Sequence, residues 1–154
     1  MAVDPGYLVR PAGTDDVRAV VGLSKLWADE GCTIGYVAVK EGDKHLQSWL
    51  DGGYFFVGEV ECGVIAYAAG VVKVGKNAIF EPDGERYLDV HEVFVHIDHR
   101  EKGVGDRLME ALLSRSESEG INRSMVGSNN VDWLRTYRFY ERHGYGMFSI
   151  QMYK

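Results

Sequence analysis

The chain has 154 residues, 45% of them hydrophobic and 26% charged, with a formal net charge of -6 at pH 7. That size suits one compact domain over residues 1–154 with its own core, and leaves too little for two. The acidic balance, with no basic stripe, argues against a duplex DNA binder and suits either simple solubility or attraction of cationic small molecules such as amines.

Cys32 and Cys62 are the only cysteines, and no CxxC is present. Such sparse thiols fit a reducing, cytoplasmic setting better than a disulfide framework. Met1-Ala2-Val3-Asp4-Pro5 has neither the basic nor the apolar region of a signal peptide. No apolar run approaches a membrane span.

Tyr7 to Arg10 reads as a first strand. Thr14 reads as an N-cap, with Asp15 and Asp16 well placed for the helix dipole. Val17, Val20, Val21, Leu23, Leu26 and Trp27 form a wide apolar helix face that stops near Gly31. Gly31 to Gly42 is a loop. A short helix follows, carrying Leu46, Trp49 and Leu50, and it ends before Gly52-Gly53.

Tyr54 to Val60 and Val64 to Val74 read as strands joined at Glu61-Cys62-Gly63. The polar segment Gly75 to Glu85 is a long hairpin connection, or else borders an acceptor pocket or a dimer contact. Arg86 to His96 is the next strand. Gly103 to Glu119 is the clearest helix, with Val104, Leu108, Ala111 and Leu112 on one stripe and Gly120 at its end. Ile121 to Val126 is a strand and Asp132 to His143 a helix. Tyr145 to Lys154 reads as a final strand with Phe148, Ile150 and Met152 on one face. The order β-α-α-β-β-β-α-β-α-β predicts an α+β, three-layer fold, with a mixed sheet that is antiparallel in its middle.

The segment carrying chemistry runs from His91 to Arg107, a strand entering a loop that opens a helix. Gly103 and Gly105 remove side chains where backbone must approach a ligand. Free N–H groups at the helix start then face that space, as at phosphate sites. Arg100 and Lys102 add positive charge nearby. A P-loop requires a terminal Gly-Lys-Ser/Thr, which is absent. A dinucleotide loop requires a third glycine, and Leu108 stands there. The remaining choices are a plain helix start or an R-x-x-G-x-G loop.

Arg100-Glu101-Lys102-Gly103-Val104-Gly105, preceded by Glu92-Val93-Phe94-Val95, resembles the coenzyme A loop of the GNAT superfamily of N-acetyltransferases. Phe139-Tyr140-Glu141-Arg142-His143-Gly144-Tyr145 resembles that family's C-terminal segment, in the right order and on the right elements. The resemblance spans nearly the whole chain. It implies a mixed, mostly antiparallel sheet of about six to seven strands flanked by four helices.

The resemblance also implies roles. The pyrophosphate of acetyl-CoA would rest on the N–H groups of Glu101, Lys102, Gly103, Val104, Gly105 and Asp106, with Arg100 beside them. The pantetheine arm would pair with the backbone of Val93 and Val95, and an N–H of Phe94 or Val95 would hold the acetyl oxygen. Tyr140 matches the residue that protonates the departing thiolate; otherwise it is a core aromatic. Glu92 is the first choice for the base and His91 the second. Strand alternation puts these two on opposite faces unless a bulge intervenes. Trp133 falls near the place where relatives carry a pantetheine-binding asparagine, with Asn129 and Asn130 just before it. It covers the coenzyme or joins the core.

Tyr36 marks the acceptor loop. The spacing of His91, His96 and His99 does not suit a metal site. The expected activity is transfer of an acetyl group to the primary amine of a small molecule, by direct attack in a ternary complex. Alternatives are a protein lysine or N-terminal acceptor, or a coenzyme A-binding regulatory module without turnover. Family habit implies a homodimer, with the last strand meeting a partner edge.

Overall fold

A computed structural model describes residues 6–77 and 81–154. The reading of Met1 to Pro5, and the part of the Gly75 to Glu85 connection at 78–80, lie outside the described residues. Five strands form one sheet in sequence order: β1 (Leu8–Pro11), β2 (Phe55–Val60), β3 (Gly63–Val74), β4 (Arg86–Val95) and β5 (Ser124–Val126). The first four are antiparallel and β5 joins β4 in parallel. Helices α1 (Val17–Glu30) and α2 (Lys44–Gly52) cover one face. Helix α3 (Val104–Ser118) covers the other, and α4 (Trp133–Glu141) adds Phe139 and Tyr140 to that side.

Each face has its own core, because alternate residues of β2 to β4 point to opposite sides. Phe55, Val57, Tyr67, Ala69 and Phe94 pack under α1 and α2. Phe56, Ala66, Ala68, Leu88 and Val90 pack under α3 with Val104, Leu108 and Leu112.

The start of α1 differs from expectation. Thr14 opens a 3-10 turn, Thr14–Asp16, that precedes the helix, and Gly13 is its cap. The capping carboxylate is Asp16, which accepts the Gly13 N–H at 2.8 Å and both guanidinium arms of Arg10 at 2.8 Å. Arg10 hydrogen bonding holds the Asp16 carboxyl below its ordinary value of 3.8, against the opposing effect of burial. The Asp16 contribution is therefore present above the unfolded carboxyl pKa and disappears as pH falls through the lower folded value. Asp16→Ala should cost about 1–2 kcal/mol in urea unfolding at neutral pH, because it uncaps the turn and leaves Arg10 with Glu59 as its one carboxylate partner. The gap from the parent should close at acid pH.

The predicted last strand is a correction. No strand forms in Tyr145 to Lys154, and Met147, Ile150 and Met152 are exposed. A strand requires a partner edge, and β5 offers only three residues. The sheet therefore has five strands, fewer than expected.

Candidate active site

The sheet opens at its last strand pair, β4 and β5. β5 pairs only with Leu88, Asp89 and Val90 of β4, so the strands part beyond Val90. The His96 N–H bonds to Ile65 O at 2.9 Å. Antiparallel alternation then turns the Phe94 N–H toward β3, and the N–H groups of Val93 and Val95 toward the gap. Of the two candidates for the acetyl oxygen, only Val95 thus faces that space. An extended amide chain laid in the gap would find the Val93 and Val95 backbone as a ready edge.

At the end of β4 a 3-10 turn, Ile97–His99, leads into the glycine loop. Glu101 (φ 61) and Gly103 (φ 81) both take left-handed backbone there, which wraps the chain into a tight nest. The first bond of α3 runs from Arg107 N–H to Gly103 O at 3.1 Å. Helix geometry leaves the preceding N–H groups, Val104 to Asp106, without intrahelical partners. Such a row favours phosphate oxygens, and the loop and gap together fit the pyrophosphate and pantetheine of coenzyme A.

The basic side chains of the loop face elsewhere. The Arg100 Nε donates to Val95 O at 2.8 Å, its guanidinium pairs with Glu30 at 2.5 Å, and it lies 5.4 Å from the Phe94 ring centroid. Arg100 thereby ties β4 to the end of α1. Lys102 donates to Asp98 O at 2.9 Å. Gly105 serves packing: a Cβ there would stand 3.2 Å from Phe139 and 3.7 Å from Val95. Asp106 holds α4 against α3 through His143 at 2.9 Å and Arg142 at 3.0 Å.

Tyr140 lies on the α3 side, in the cluster that includes Val93 and Val95 of β4 and Val126 of β5. Its ring meets Phe139 at 5.0 Å and Tyr145 at 5.7 Å, edge to face. Its hydroxyl has no hydrogen-bond partner among the described residues. Burial, with a lesser effect of Tyr145, raises its pKa. Trp133 begins α4 and is 59% exposed, so it is no core residue.

Glu92 and His91 share the opposite face. Ala69 faces Glu92 and Gly70 faces Val90, so His91 is the extra residue of a β-bulge. The bulge is possible because Gly70 lacks a side chain; a Cβ there would stand 2.6 Å from Asp89 O. Both side chains consequently point toward α1 and α2, contrary to simple alternation. The two ring nitrogens of His91 are engaged, Nδ1 accepting from Trp49 Nε1 at 3.0 Å and Nε2 lying 3.4 Å from Asp89. Asp89 in turn pairs with Lys73.

The Glu92 Oε2 accepts from the hydroxyls of Tyr67 at 2.5 Å and Tyr36 at 3.1 Å. Burial raises the Glu92 pKa, and the two tyrosine hydrogen bonds pull it partly back. Tyr67, fully buried, was not legible as a site residue; it sits in the apolar run 64–74 like any core aromatic. Its one distinguishing sign is a large polar ring flanked by Ala66 and Ala68.

The loop carrying Tyr36 is latched to the segment before α4. Ile34 N–H bonds to Asn129 O at 3.0 Å, Val131 N–H bonds to Cys32 O at 2.9 Å, and Thr33 bridges Asn130. Trp27 braces it, stacking on Tyr36 at 4.2 Å and on Phe94 at 5.5 Å, with Nε1 bonded to Thr33 Oγ1 at 2.9 Å.

A parted parallel strand pair, an amide-lined loop at a helix start and a phenol beside the gap define an acyl-coenzyme A transferase fold. The family model for the acetyltransferase (GNAT) domain matches residues 51–146, and the chain belongs to that family. Its coenzyme is acetyl-CoA. Sequence comparison with curated proteins finds no match.

Solved structures share the fold. A predicted acetyltransferase from Clostridium acetobutylicum, determined with acetyl-CoA, has a TM-score of 0.73 at 16% identity, covering 96% of this chain and 95% of its own. Glucosamine-6-phosphate N-acetyltransferase from Arabidopsis thaliana has a TM-score of 0.69 at 21% identity, with 96% and 97% covered. An aminoglycoside acetyltransferase from an uncultured soil metagenomic sample has a TM-score of 0.70 at 16% identity, with 99% and 98% covered.

Proposed function

We propose that the protein acetylates the primary amine of a small cationic molecule, by direct attack on acetyl-CoA in a ternary complex. The observation that carries this reading is Glu92, a half-buried carboxylate whose desolvation raises its pKa, on the α1 and α2 face. Tyr140 lies on the other side of the sheet, beside the gap. Base and acid thus approach the reacting atoms from opposite faces. The loop latched against residues 129–131 supports a small acceptor, since an extended peptide acceptor would need an open groove beside that loop.

Glu92 takes a proton from the ammonium, directly or through a water, and frees the nitrogen lone pair. The amine nitrogen attacks the acetyl carbon, and the Val95 N–H receives the carbonyl oxygen as its charge grows. The carbon–sulfur bond breaks and Tyr140 gives its proton to the sulfur, while the second proton of the attacking nitrogen leaves through solvent and restores the phenol. A phenol of pKa about 10 or higher suits a thiolate whose thiol pKa is about 8.5 only when held against it, which is the role of the α4 packing. His91, with both nitrogens engaged, orients β4 and leaves the base role to Glu92.

Two experiments test the reading. Calorimetric titration with acetyl-CoA should give saturable binding, and an amine panel spanning polyamines, amino sugars and amino acids should reveal turnover. In Glu92→Gln, kcat/KM should fall about 100-fold near neutral pH with acetyl-CoA binding retained. The deficit should narrow as pH rises and more free amine is present. Binding without turnover of any amine, but with acetylation of a peptide, would move the acceptor to protein.

A further inference from the structure

We propose that Tyr36 and Tyr67 are positioning residues that grip one oxygen of Glu92 so that the other meets the ammonium. Both hydroxyls donate to Oε2, while Oε1 has no hydrogen-bond partner among the described residues. A carboxylate held by a single oxygen keeps its second oxygen directed and basic. The inference rests on Glu92 being the base.

The grip is over-determined. Ser24 Oγ accepts the Val39 N–H at 2.8 Å, which fixes its lone pair and leaves its proton for the Tyr36 hydroxyl, also 2.8 Å away. The Tyr36 proton is then directed at Glu92. Tyr67 is fixed by full burial in β3, and its hydroxyl lies 3.3 Å from that of Tyr36. One grip therefore comes from the sheet. The other comes from a loop held by α1 and latched at Asn129 to Val131. Acceptor loop and base form one unit, so a displaced loop also misplaces the base.

Four groups face Glu92: Tyr36 from the loop, Tyr67 from β3, His91 from β4 and His45 from α2. An activity profile alone does not separate the carboxylate from these neighbours. Direct observation of the carboxyl carbon separates them.

The test is ¹³C NMR titration of protein labelled at glutamate carboxyls, with the Glu92 resonance assigned by its loss in Glu92→Gln. In Tyr36→Phe and Tyr67→Phe the Glu92 midpoint should move to higher pH, because each removes a donor to the charged form. The acid limb of the kcat/KM profile should move the same way. Turnover should fall about tenfold, with KM for acetyl-CoA unchanged. Tyr36→Phe, on the loop, carries the test should Tyr67→Phe lose stability.

Unmoved midpoints overturn the positioning role. So does a moved midpoint with an unmoved acid limb in active enzyme. Absence of turnover in the parent protein with every amine fails the function reading instead, and the NMR midpoints still decide the grip.

Discussion

Tyr140→Phe should lower kcat by about 100- to 1000-fold and leave both folding and acetyl-CoA affinity at parent values. The reason lies in what the hydroxyl does not do. It makes no hydrogen bond among the described residues, so its removal strands no partner. The ring contacts with Phe139 and Tyr145 survive intact in phenylalanine. Burial keeps the phenol protonated throughout the working range, so it is always a donor. A loss confined to kcat identifies an interaction made as the carbon–sulfur bond breaks. Stopped-flow turnover, urea unfolding and calorimetry on the same variant give the three readings. Unchanged turnover would mean that the thiolate leaves without this phenol.

Gly70→Ala should cost about 3 kcal/mol in urea unfolding and remove most turnover in the protein that still folds. The added methyl would stand 2.6 Å from Asp89 O and 3.3 Å from Val90 Cα. These are backbone atoms of the neighbouring strand, so no rotamer change relieves the contact. β4 must retreat, and the bulge at His91 is the feature it gives up. Regular pairing would send either His91 or Glu92 to the far face. A variant that loses stability yet keeps full kcat would show that the bulge does not place the base.

What the sequence disclosed follows the range of the interactions. The glycine loop, both family segments and the helices are local, and each appears where its residues predict. The bulge depends on Gly70 meeting a strand some twenty residues on, and alternation alone argued against it. Arg100 reads as a phosphate neighbour because Gly103 and Gly105 follow it closely in sequence. Its partner Glu30 is seventy residues away and invisible to a motif. Tyr67 was hidden because a tyrosine within an apolar strand reads as core, and only the carboxylate above it marks it out. The final strand failed differently. Its alternation is real, but the edge beside it is three residues long.

The engaged state of Arg100 and Lys102 bears on how a chain of net charge -6 would manage acetyl-CoA together with the cationic acceptor proposed above. With Arg100 paired to Glu30 and Lys102 bonded to a backbone carbonyl, the proposed grip on the phosphates rests on amide dipoles, which act only at contact distance. A net charge of -6 favours the approach of the proposed cationic acceptor and not that of a polyanion. On that reading the polyanion would be recognised by touch and the cation by field, so the site need not repel one partner in order to hold the other.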